Sequence, residues 1–115
     1  MTTYKLVMPA DMNPYGFLFG GNMLQWVDEY AWMAASHDYP HMRFVTVGMD
    51  RVAFKKQVPV GAILCFETVR CRCGRTSVAY NVTVTNSTAG DEVLFETEIT
   101  FVRVDESGAK LPLDA

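Results

Sequence analysis

The sequence predicts an α+β domain in which a single helix is wrapped by a single antiparallel sheet, and three observations predict it. The 115 residues are one domain's worth, spanning 1–115 with no room for a second core. One segment, after Asn22, carries its apolar residues at helical period. The stretch from Arg43 to Val104 is instead rich in Val, Thr and Phe, and its turn residues leave strands near ten residues long. Long antiparallel strands joined by short turns make a meander, and one helix of similar length covers its apolar face. Half the residues are apolar and 20% are charged, a balance that excludes a disordered, collagenous or coiled-coil chain. Folding at this size removes roughly 60–70% of the unfolded chain's surface from water, so association with further copies would help a thin margin.

Taken in order, Tyr4 to Met8 is a short apolar run that stops at Pro9, a brief strand. Pro9 to Gly21 is a loop dense in Pro, Gly, Asn and Asp that also holds Phe17, Leu18 and Phe19. A loop that apolar folds back over the core or is covered by a partner chain. From there Met23, Leu24, Val27, Tyr30, Ala31 and Ala34 form the stripe of an amphipathic helix of about four turns, ending before Pro40. Either Asn22 caps this helix, or it begins at Gly20 or Gly21 with its amides bare. Strands follow at about Phe44 to Phe54, Ile63 to Cys73, Ser77 to Thr85 and Glu92 to Val104. The turns fall at Pro59-Val60-Gly61, at Gly74 and over Ser87 to Asp91. The last ten residues read as a frayed tail.

The net charge of −3 argues against nucleic acid as a partner. Its distribution is uneven. Between Arg43 and Arg75 seven basic residues face two acidic ones, a local +5, while the remainder carries −8. Such a middle third is either a patch for a small anionic ligand or a set of solvated strand charges. Cys65, Cys71 and Cys73 are an odd count without CxxC spacing, which suggests neither a disulfide framework nor zinc. On one unbroken strand they share a face. They read as reduced thiols of a cytoplasmic protein. No window is long and apolar enough for a membrane helix. His37 and His41 are separated by Pro40 and followed by no Glu, so no metal site is expected. No serine stands in a GxSxG elbow.

The run Asp11-x-Asn13-Pro14-x-Gly16-x-x-Phe19-Gly20-Gly21, with Asp28-Glu29 seven residues on, resembles the start of hotdog-fold acyl-CoA thioesterases of the acyl-CoA hydrolase branch. Phe54, Pro59, Val60 and Gly61 resemble that family's turn between its second and third strands, with Ala62 where an Asp is usual. Gly74-Arg75-Thr76-Ser77-Val78 resembles the turn before its fourth strand. The resemblance spans about Met8 to Val104. It implies a hotdog fold, one long helix wrapped by a curved antiparallel sheet of about five strands.

Read without the family, Asp28 lies at the margin of the helix stripe. It is either a border residue reaching solvent beside Glu29 or a partly desolvated carboxylate with a task. Gly20 and Gly21 are either a flexible entry to the helix or an anion site of free N–H groups. Asn13 fits an Asx-turn into Pro14. The resemblance implies more for each. The amide of Gly21 would hold the thioester oxyanion, with Gly20 shaping the approach. Asn13 of one chain would work beside Asp28 of another, and Asp28 would be general base or nucleophile. Tyr15 departs from the Asn or His common nearby. Arg75 and Thr76, then Lys55 and Lys56, and more weakly Arg72, would hold the phosphates of coenzyme A; the alternative for each is solvated surface.

The function this implies is hydrolysis of an acyl-CoA thioester to a carboxylic acid and coenzyme A. It would need no metal or organic cofactor, with a homodimer as the minimal active unit and a tetramer or hexamer above it. The alternatives are a non-catalytic acyl-CoA binding or sensing module, or a thioesterase for aryl-CoA or acyl carrier protein substrates.

Overall fold

Alternation along the strands decides which side of the sheet is buried. In the fourth strand Val78, Tyr80, Val82 and Val84 are each at most 1% exposed and face the core, while Asn81 between them is exposed. The computed structural model, which describes residues 1–114, places the elements as β1 (Thr2–Leu6), a 3-10 turn (Pro9–Asp11), α1 (Gly20–Asp38), β2 (Phe44–Phe54), β3 (Ile63–Cys73), β4 (Ser77–Asn86) and β5 (Glu92–Arg103). All five strands form one antiparallel sheet in the order β1-β3-β4-β5-β2. The helix lies along its concave face. Met23, Trp26, Val27, Ala31, Ala34 and Ala35 are buried against Phe66, Tyr80, Phe95, Ile99 and Phe101. The three alanines let the helix backbone approach the sheet, and Tyr30 meets Phe66 edge-on with ring centroids 4.9 Å apart.

The predicted architecture holds, and its details shift for identifiable reasons. The first strand ends at Leu6: the Val7 N–H still reaches the Ala62 carbonyl (2.9 Å), but the Val7 carbonyl accepts from Gly61 (2.9 Å), out of register, and Pro9 then opens a 3-10 turn. The helix runs for 19 residues, more than five turns, because it starts at Gly20 and continues to Asp38. Only β3, β4 and β5 form a meander. Residues 55–62 carry the chain from β2, on one edge, to β3, which pairs instead with β1. A bulge between Arg70 and Arg72 breaks the alternation, so Cys65 and Cys73 do not share a face. Cys73 pairs across to the core-facing Val78, and its thiol sits 3.3 Å from the Tyr39 hydroxyl. The tail is tied down rather than frayed. The Leu111 N–H bonds the Arg103 carbonyl, the Leu113 N–H bonds the Arg75 carbonyl, and Leu113 packs on the core; Ala115 lies outside the described residues.

Among the described residues the outer face carries one buried charge. Glu98 is 3% exposed in β5 and is clamped by Arg51 and Arg72. Both arginines stand beside bulges, in β2 and β3, that turn them toward it. Among the described residues no helix is long and apolar enough to cross a membrane.

Candidate active site

Two glycines decide what the start of α1 presents. Phe19, the last extended residue, has no side chain able to cap, and no side chain among the described residues caps the start of the helix. The N–H groups of Asn22 and Met23 turn back to the Phe19 carbonyl (3.1 and 3.4 Å), whereas those of Gly20 and Gly21 have no partner among the described residues. A Cβ on Gly20 would lie 3.2 Å from the Phe54 ring. One on Gly21 would meet nothing within 4 Å, and this residue is exposed. The helix dipole adds partial positive charge at the same point.

Asn13 shares a cavity with Gly20, and Gly21 is not among the lining residues. With Gly20, Phe17, Met23, Phe54 and Lys55 it lines a cavity of about 370 Å³. Its Oδ1 accepts the N–H groups of Tyr15 (2.9 Å) and Phe17 (3.1 Å), so the Asx-turn read from the sequence is present. Two backbone donors converging on one atom require that atom to be the amide oxygen. The Nδ2 group is therefore what Asn13 has left to offer, and it can only donate.

Asp28 stands elsewhere. It is half-buried, and its Oδ1 accepts a 2.6 Å hydrogen bond from the Thr46 hydroxyl of β2. The two line a separate cleft of about 520 Å³ between α1 and the start of β2, with Trp32, Met33, Phe44 and Val45. Seven residues of helix separate Asp28 from Gly21, roughly 10 Å of rise. One chain thus gathers Asn13, Gly20, Lys55 and Lys56 around one cavity and leaves Asp28 at another. Sequence reading missed Thr46, since a threonine in a strand is ordinary and its partner lies 18 residues away.

The basic candidates divide as well. Lys56 is bonded to Glu92 (2.6 Å) and Lys55 lies 3.4 Å from Glu96. Arg72 is spent on Glu98. Arg75 is exposed and has no carboxylate partner among the described residues. Lys55 bonds the backbone of Leu94, and Thr76 accepts from Arg103, nine residues further along β5. The lysines and the Arg75 turn therefore stand roughly 30 Å apart at opposite ends of the sheet. Gly74 shapes that turn: a Cβ there would come within 2.6 Å of the Ser77 hydroxyl. His37 and His41 fall at the far end of α1, and the described residues contain no group of three His, Cys, Asp or Glu placed to hold a metal ion.

Comparison with known proteins gives the arrangement its relatives. The family model of the thioesterase superfamily matches residues 15–93. The acyl-CoA thioester hydrolase YciA of Salmonella typhimurium is 32% identical over 94% of this chain and 85% of its own length. Among solved structures, the hexameric thioesterase y2039 of Yersinia pestis superposes with a TM-score of 0.89 at 30% identity, over 98% of this chain and 93% of that one. The hexameric hotdog fold thioesterase Cj0915 of Campylobacter jejuni gives 0.82 at 33% identity, covering 96% and 86%. The helix wrapped by five antiparallel strands is the hotdog fold, and the chain belongs to the thioesterase superfamily.

Proposed function

We propose that this chain hydrolyses acyl-CoA thioesters to a carboxylic acid and coenzyme A, residues 1–115 acting as one hotdog domain. The observation that carries the reading is the bare start of α1: two adjacent glycine amides without partners among the described residues, the first of them in the wall of a cavity that Asn13 also lines. Attack on a thioester carbonyl places negative charge on its oxygen, and fixed N–H donors aimed at that oxygen lower the barrier. Gly21 supplies the open amide and Gly20 the close approach. The Nδ2 of Asn13 adds a second donor, to the same oxygen or to the attacking water.

Asp28 supplies the carboxylate. The Thr46 bond holds one oxygen, and the other acts. As general base it takes a proton from water as the hydroxide bonds to the carbonyl carbon; the C–S bond then breaks and the thiolate of coenzyme A leaves. As nucleophile it bonds to the carbonyl carbon and expels the thiolate of coenzyme A, and water then opens the resulting anhydride to the carboxylic acid and a free Asp28. Since the carboxylate stands roughly 10 Å along the helix from its own Gly21, it serves the amides of a second copy. The homodimer is the smallest active unit, and the relatives described as hexameric support a trimer of dimers. Arg75 and Thr76 receive the phosphates of coenzyme A, since Lys55 and Lys56 are already matched by glutamates.

Free-thiol release from acyl-CoAs between acetyl and palmitoyl tests the reading. Asp28→Asn is expected to lower kcat at least a hundredfold with binding retained. Wild-type turnover in that variant would refute the assignment. Tight binding of acyl-CoA by the native protein without thiol release would instead identify a binding module.

A further inference from the structure

An asparagine at a helix start ordinarily serves as the cap, just before the first turn, but Phe19 holds that position and Asn22 is the third residue of α1. Here it does something else. Its Nδ2 donates 2.9 Å to the carbonyl of Asp11, eleven residues earlier. The same carbonyl accepts the N–H of Phe19 (3.2 Å), and the Asp11 carboxylate accepts the N–H of Met8 (2.9 Å). One peptide group thus joins the outgoing limb of the loop, its returning limb and the helix. Asn13 stands two residues after Asp11, and Gly20 and Gly21 stand between Phe19 and Asn22.

We infer that Asn22 is a positioning residue: its side chain sets the distance between the Asn13 amide and the Gly20–Gly21 donors. The kinetic part of this inference rests on the hydrolase reading, and the structural part stands without it. An alanine at position 22 removes the link. An aspartate removes the donor, opposes the Asp11 carbonyl and puts a negative charge beside the amides meant for an oxyanion. Neither weakens the helix itself, since alanine has the higher propensity and an acidic residue suits a first turn.

The test compares Asn22→Ala and Asn22→Asp with wild type by amide hydrogen exchange and by thioesterase kinetics. Exchange at the Phe19 amide is expected to quicken at least tenfold in both variants, with β4 unchanged. With acyl-CoA substrate, kcat is expected to fall about tenfold in Asn22→Ala and further in Asn22→Asp, with KM within about threefold and an undiminished melting temperature. Phe19 exchange within twofold of wild type in both variants overturns the inference, as does kcat within twofold. A wild-type protein that hydrolyses nothing refutes the hydrolase reading alone, and the exchange measurement still decides the role of Asn22.

Discussion

Arg75, Lys55 and Lys56 compete for one assignment, and their neighbours separate them. Each lysine faces a glutamate, so its charge is largely matched before any ligand arrives, while the Arg75 guanidinium has no carboxylate partner among the described residues. A guanidinium fork also suits a phosphate better than an ammonium does. Arg75→Ala is therefore expected to raise KM for acyl-CoA about tenfold, the equivalent of ~1.4 kcal/mol. A short pantetheine thioester, which lacks the phosphates, should be unaffected. Lys56→Ala should change neither by more than about twofold, and equal losses on both substrates would remove Arg75 from phosphate recognition. Legibility in the sequence follows the same logic of neighbours. Gly20 and Gly21 were legible because the absence of a side chain is itself the property that matters. The pairing of Asp28 with Thr46, and the neutralised state of the lysines, were not, because each depends on a residue that only the fold brings near.

At the scale of elements, α1 is held to the sheet at its far end by Tyr80, which is 1% exposed and donates 2.7 Å to the Asp38 carboxylate. Burial first, and then this carboxylate, push the phenol pKa well above its ordinary value. An unfolded tyrosine loses its proton near pH ~10 and the folded one does not. The stability this group contributes is thus complete below pH ~10 and is lost as pH rises toward the folded value. Tyr80→Phe is expected to cost ~1 kcal/mol at neutral pH by urea denaturation. Its stability should then fall less steeply than that of wild type above pH ~10, and parallel curves would show that Tyr80 titrates alike in both states. The pattern of turn residues located β2 to β5 to within a residue or so because it marks where each Val-, Thr- and Phe-rich strand must stop. It said nothing of which strands are neighbours, so the path from β2 across to β3 was invisible. The bulge at Cys71 escaped for a related reason: one unpaired residue inverts every face after it without altering composition.

The whole molecule leaves β2 as an eleven-residue edge whose Val45, Val47, Val52 and Phe54 are all more than 40% exposed. An edge that long and apolar needs covering, and in the proposed homodimer a second copy of the same edge would cover it with two-fold symmetry. In such a pair each proposed site takes Asp28 from one chain and Asn13 with Gly21 from the other. Asp28→Asn removes the carboxylate. Asn13→Asp keeps an oxygen for the Tyr15 and Phe17 N–H groups, so the loop survives, but removes the Nδ2 donor. Each variant alone has two damaged sites and should be nearly inactive. When the two are unfolded, mixed in equal amounts and refolded, half the dimers carry one chain of each kind. Every mixed dimer holds one site with both groups intact and one with neither. The mixture is expected to regain about a quarter of wild-type activity, whatever the higher assembly, as symmetry requires. A site built within one chain would give no recovery, because no single chain in the mixture carries both residues.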